Sequence, residues 1–204
     1  MNKKHFEPET RTIDFILERR GDENSRTIGG YAAVFDKLSR NLGWFREKID
    51  KNAFDEADMS DVVAVLNHDF NILFARSSSG TLDLKVDKKG LVYEFEVPDT
   101  AAGNDLLKLI DRKDISKSSF SFIVSEDKWE EDDEYGEIRT ILKLKRVIDV
   151  SPVTFAAYTD TTVAKRSFDE FKQENREDEP EEKKVPPEVT HAEAELELRK
   201  IKNH

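Results

Sequence analysis

Between roughly Thr10 and Thr159 apolar and polar residues alternate in short runs broken by turn residues, the period of half-buried strands. TIDFILER places Ile13, Phe15 and Leu17 on one side. After a loop from Gly21 to Ser25, TIGGYAAVFD follows, and the two runs predict an opening hairpin. VVAVLNH, residues 62–68, reads as a buried strand, and GTLDLKVDKKGLVYEFEVPD carries two alternating strands joined by Asp87-Lys88-Lys89-Gly90. The period then changes. In NDLLKLIDRK, Leu106, Leu107 and Ile110 share one helical face, with Asn104 as the expected cap. Two further strands, ISKSSFSFIV and IRTILKLKRVIDV, flank the acidic stretch SEDKWEEDDEYGE, which reads as a loop, and SPVTFAAYT closes the domain. Many short strands with few helices predict a mainly β chain with a few flanking helices (α+β), arranged as a compact barrel or sandwich.

Composition changes this picture at one end. After Phe171 there is no aromatic residue, and the last forty residues hold no glycine but three of the six prolines. QENREDEPEEKKVPPEV, residues 173–189, has the charge and proline content of a solvated linker. HAEAELELRKIKNH reads either as a short docking helix or as disorder. The expected division is therefore a folded domain over residues 1–164 and a charged tail over 165–204.

The remaining composition narrows the chemistry. A net charge of −11 argues against a nucleic-acid partner. No apolar run reaches the ~20 residues of a membrane helix, and MNKKHFEPETR lacks the apolar stretch of a signal peptide, so a cytosolic location is expected. The absence of cysteine removes disulfides, zinc–thiolate sites and cysteine nucleophiles together.

The stretch DISKSSFSFIV, residues 114–124, sets four serines in what otherwise reads as a core strand, and each buried hydroxyl needs a partner or a task. Strict alternation puts Ser116, Ser118, Phe120 and Phe122 on one face and Ser119, Ser121 and Ile123 on the other. Either the serines line a face built of small residues and satisfy local backbone, or one of them is a nucleophile. A nucleophilic serine needs a base and a group that orients it. His5 lies near one terminus and His191 and His204 in the tail, which leaves His68 as the imidazole the domain can use. It is a structural side chain or that base. Asp69 follows His68 directly and so should face away from it. Asp149, between Ile148 and Val150, needs a charged or hydrogen-bonded partner: Arg146, Lys145, a backbone turn or an imidazolium.

Five segments, GGYAAVFDKLS, LGWFREKIDKNAF, VVAVLNHDFNILFARSSSGTLDLKVDKKGL, ISKSSFSFIV and VIDVSPVTFAAYTDT, in this order resemble the prohead maturation proteases of tailed bacteriophages. The resemblance covers about residues 27–163 and implies a small closed or partly closed antiparallel β-barrel related to the herpesvirus assemblins. It maps the family histidine onto His68 of Asn67-His68-Asp69 and the family serine onto Ser119, with Ser118 in reserve because Ser121 stands where glycine is common. The acid before Val-Ser-Pro falls on Asp149. Arg76 matches an arginine after the histidine segment, most simply in an ion pair. What the resemblance implies is a serine endopeptidase without cofactor or metal that cuts the capsid precursor or its scaffolding segment, and its own chain. That would happen inside the procapsid in the host cytoplasm, with self-association by analogy and no nucleic-acid or membrane partner. The rival expectation is a noncatalytic assembly module with the same fold.

Overall fold

A computed structural model of the chain describes residues 7–22, 24–155 and 162–177. In chain order its elements are β1 (Glu9–Ile16), β2 (Glu18–Arg19), β3 (Thr27–Val34), β4 (Phe45–Ile49), β5 (Val63–Leu66), β6 (Asp69–Arg76), β7 (Leu82–Val86), β8 (Gly90–Glu96), α1 (Ala101–Asp111), β9 (Lys117–Asp132), β10 (Gly136–Val153) and α2 (Thr162–Glu177). The class is mainly β with two helices, as the alternation predicts. One sheet runs β1-β9-β10-β5-β6 with β4 also on β10, and the other runs β2-β3-β8-β7.

Neither sheet closes into a barrel among the described residues: β1 and β6 stay as the edges of one, β2 and β7 of the other. Nor is the pairing wholly antiparallel. The 18-residue β10 meets β4 in parallel along its first part (Ile141 opposite Ile49) and β5 in parallel near its end (Asp149 opposite Val63). A strand this long can carry two successive short partners on one edge, which run lengths in the sequence do not reveal.

The opening hairpin is also replaced. The chain parts at Leu17: β1 pairs antiparallel with β9, Thr12 opposite Ser119, while only the two residues of β2 pair with β3. Alternation identifies a strand but not its partner. Here buried charges choose it. Arg11 of β1 reaches Glu47 of β4 at 2.7 Å, and Glu9 of β1 receives Arg139 of β10 at 2.6 Å. The acidic stretch is likewise strand rather than loop. Trp129 is buried and stacks on Trp44 with centroids 5.4 Å apart, and Asp127, two residues earlier on the same face, accepts from Arg139 at 2.6 Å, so only the intervening residues turn outward. Only a tight turn remains, where Asp132 Oδ1 accepts from the Glu134 and Tyr135 amides at 2.9 Å.

Helix α1 begins earlier than expected. Thr100 is its cap, its side chain accepting from the Gly103 amide at 3.1 Å, and Asn104 lies one turn inside. Leu106, Leu107 and Ile110 form the buried face that the spacing predicts. They join a core in which Phe120 and Phe122 of β9, stacked at 4.5 Å, meet Leu91 and Tyr93 of β8 and Val147 and Val150 of β10.

Gly90 opens β8 where two strands nearly touch: a Cβ there would lie 2.0 Å from the carbonyl oxygen of Ala33 in β3. Backbone cannot yield as a side chain does, so Gly90→Ala is expected to cost about 1–3 kcal/mol. A urea midpoint within error of wild type would contradict that close approach.

The chain divides into two compact units, Met1–Phe168 and Asp169–His204. In the first, α2 buries Ala164, and Trp129 Nε1 donates to Ser167 Oγ at 3.0 Å. Of the second unit, residues 169–177 are described and are helical, so the tail expected from residue 165 starts within a helix. The rest of the linker and the terminal docking segment lie outside the described residues, as do His5, His191, His204 and residues 156–161. No helix among the described residues is long and apolar enough to cross a membrane.

Candidate active site

Two long neighbours set the stage. In the β9–β10 register Ser119 lies opposite Ser151, and Ser121 opposite Asp149. With side chains alternating along each strand, these four residues share one face. Ser118 takes the other face, where its Oγ is 2.8 Å from the hydroxyl of fully buried Tyr93. Burial pushes the Tyr93 phenol up, so that pair is a neutral core hydrogen bond.

The third contributor is the connection between β5 and β6. Leu66 pairs with Asp69, which leaves Asn67 and His68 as a two-residue link with φ of 52° and 61°. Short hairpin links favour left-handed backbone because it matches strand twist, but side chains other than glycine are strained there. Asn67 and its neighbours offset that strain: its amide donates to the Pro152 carbonyl at 3.0 Å, and the Thr154 amide donates to Asn67 Oδ1 at 2.8 Å. The turn is thus pinned to the end of β10.

So pinned, the imidazole bridges the shared face. His68 Nδ1 lies 2.7 Å from Asp149 Oδ1 and Nε2 lies 2.8 Å from Ser119 Oγ. The three residues named from the sequence are therefore brought together, and Ser118 is not among them. Asp149 is 1% exposed, and its Oδ2 has no hydrogen-bond partner among the described residues. A buried carboxylate so poorly satisfied is stabilised most by a positive charge on the ring beside it. With Nδ1–H donated to Asp149, Nε2 is left as an acceptor facing a hydroxyl, the arrangement in which an imidazole removes a serine proton as the oxygen attacks an acyl carbon.

The strand β1 also enters the site. Ser119 Oγ donates to the Arg11 carbonyl at 2.9 Å, so its one proton has two acceptors within reach. Thr10 Oγ1 is 3.1 Å from Ser121 Oγ, which is itself 3.1 Å from His68 Nδ1. Ser119 is fully buried, whereas the His68 side chain is 20% exposed, so solvent meets the group at the ring.

Two neighbours have other partners. Asp69 Oδ1 accepts from the Asn71 amide at 2.9 Å. Arg76 forms a bidentate pair with Asp61, both bonds 2.6 Å, and this guanidinium, with the Ser78 hydroxyl, holds the Asp61 carboxyl well below the usual carboxylate range. Among the described residues no group of three His, Asp or Glu side chains could hold a metal ion. The sequence reading missed Ser151, whose Oγ donates to Asp149 Oδ1 at 2.8 Å, and the contribution of β1. Strand period could have found Ser151, two residues after Asp149. Nothing local could have found β1.

The family model described as caudovirus prohead serine protease matches residues 14–174. No curated protein matches the chain. Among solved structures, the chain is similar to the bacteriophage T4 capsid assembly protease, gp21, at 14% identity over 71% of this chain and 98% of that one, with a TM-score of 0.42.

Proposed function

This chain belongs to the caudovirus prohead serine protease family, and from that premise we propose that it is a serine endopeptidase of capsid maturation whose catalytic residues are Ser119, His68 and Asp149. The observation that carries the proposal is the unbroken chain of contacts from Ser119 Oγ through the His68 ring to Asp149, at 2.8 and 2.7 Å. Ser119 attacks the scissile carbonyl, His68 takes its proton and returns it to the leaving amine, and Asp149 holds the ring tautomer and offsets its charge.

Catalysis requires the scissile carbonyl to come within ~3–3.5 Å of Oγ. Because Ser119 is fully buried and hydrogen-bonded to β1, a segment covering it must first move. β1 is an edge strand, but its Glu9 and Arg11 are tied into a buried ion cluster with Arg139 and Glu47, so its displacement requires those pairs to break. A nucleophile covered in this way suits an enzyme held back until assembly.

The substrates are the capsid precursor or its scaffolding segment, and the enzyme's own chain, inside the procapsid of an infected cell. Residues 1–164 form the protease domain. The charged stretch 165–204 tethers it, raising local substrate concentration enough for a weak site to act. Co-expression of the full chain with its capsid precursor, followed by intact-mass measurement of the particles, is expected to show a shortened precursor and cleavage of this chain between residues 165 and 190. Full-length masses for both proteins in matured particles would instead favour a noncatalytic assembly module.

A further inference from the structure

Ser151 touches both the candidate acid and the backbone of the candidate base. It is fully buried, opposite Ser119 in the β9–β10 register and two residues beyond Asp149 on the same face. Its Oγ donates to Asp149 Oδ1 at 2.8 Å and accepts from the His68 main-chain amide at 3.3 Å, with Nδ1 of the ring also 3.3 Å away. A hydroxyl has one proton and two acceptor lone pairs, so both bonds can be made at once.

The placement matters because both groups it holds are otherwise poorly fixed. His68 sits at φ 61° in a strained link, and the links at Asn67 leave the amide of His68 itself to Ser151. Among the described residues the Asp149 side chain makes its hydrogen bonds through Oδ1. Rotation of its carboxylate would be opposed by Ser151 and by the imidazole alone. Ser121 also approaches Nδ1, at 3.1 Å, but its other side-chain hydrogen bond is to Thr10 on β1, and although it lies opposite Asp149 it makes no hydrogen bond to that carboxylate.

We propose that Ser151 is the positioning residue of this site: one hydroxyl that sets the carboxylate of Asp149 and the turn of His68 in mutual register, so that Nδ1–H points at Oδ1 and Nε2 at Ser119. This rests on the protease reading given above. Its effect is on geometry alone, since Ser151 has no contact with the reacting oxygen among its hydrogen bonds.

The experiment measures covalent labelling of the full chain in assembled particles by a fluorophosphonate probe, resolved into a limiting rate and a half-saturating probe concentration, in wild type and in Ser151→Ala, Ser151→Thr and Ser119→Ala. Misplacing a catalytic group by ~1 Å costs about a hundredfold. Ser151→Ala should therefore lower the limiting rate about a hundredfold with little change in half-saturation, and Ser151→Thr, which keeps the hydroxyl, should recover most of it. A residue that merely supports the fold would lower the melting temperature and leave the limiting rate of the folded fraction unchanged. Should the threonine methyl prevent folding, the downfield Nδ1–H proton resonance of His68 serves in its place, expected to shift or broaden in Ser151→Ala. Wild-type labelling by Ser151→Ala, with labelling lost in Ser119→Ala, overturns the positioning role and leaves the protease reading intact. Labelling that persists in Ser119→Ala overturns both.

Discussion

Ser119→Ala is expected to abolish covalent labelling by a fluorophosphonate and all cleavage of the capsid precursor, with His68→Ala doing the same and the melting temperature little changed. Removing a serine nucleophile or its histidine typically costs at least ~10⁴-fold, because the two act as one unit and neither works without the other. Asp149→Asn should fall nearly as far. An amide in place of the carboxylate reverses the hydrogen bond at Nδ1, now 2.7 Å from Oδ1, and with it the tautomer that leaves Nε2 able to accept the Ser119 proton. Ser118→Ala supplies the contrast, since that hydroxyl pairs with Tyr93 in the core. Its labelling should match wild type per folded molecule. If Ser118→Ala loses labelling while Ser119→Ala keeps it, the nucleophile has been misassigned. If neither variant nor wild type is labelled in assembled particles, the noncatalytic alternative takes over.

Arg139→Met is expected to be the most damaging substitution for stability, at about 3–5 kcal/mol. The Arg139 side chain is almost completely buried and holds Glu9 with both terminal nitrogens, at 2.6 and 3.0 Å, while also bonding Glu47 at 3.1 Å and Asp127 at 2.6 Å. Arg11 completes the cluster through Glu9 and Glu47. Truncating Arg139 leaves carboxylates in the interior with half their compensation, which costs far more than the net worth of the pairs.

Glu9 also gives the cluster a pH signature. Burial pushes its carboxyl upward, but Arg139 and Arg11 outweigh that and hold it below its ordinary value of 4.5. A depressed carboxyl contributes stability that is complete above the unfolded value and is lost as pH falls through the folded one. Wild type should therefore lose stability progressively below about pH 4.5, and Glu9→Gln should show a shallower acid limb in urea unfolding. Equal slopes would show that Glu9 does not carry this linkage.

The cluster marks where reading the chain succeeds and where it stops. Period-two spacing separates Ser119 and Ser121 from Ser118, Phe120 and Phe122, and the structure keeps that separation: one set meets the imidazole, the other the core. Leu106, Leu107 and Ile110 likewise share a buried helical face as their spacing requires. Such patterns are local, because the geometry of one strand or helix fixes which side chains lie together. The scarcity of histidine in the domain is equally readable from composition.

Partner choice is not local. TIDFILER could pair with the strand after it or with one far along the chain. It joins β9 because Glu9 and Arg11 find counter-charges on β4 and β10. The same tertiary choice lays the Arg11 carbonyl against Ser119 and buries that hydroxyl. The acidic stretch 125–137 looks like a loop until Trp129 stacks on Trp44, a contact between residues remote in sequence. By itself, then, the sequence determined most element types (though not the acidic stretch of β9 or α2), the face each side chain takes along a strand or helix, and the candidate nucleophile, base and acid, since these follow from covalent spacing and chemical type. Only the tertiary structure decided which strands adjoin, that His68 turns back at left-handed φ to link Ser119 with Asp149, and that β1 lies beside β9 with its Arg11 carbonyl against Ser119, because those depend on buried charges and rings that meet only once the chain has closed on itself.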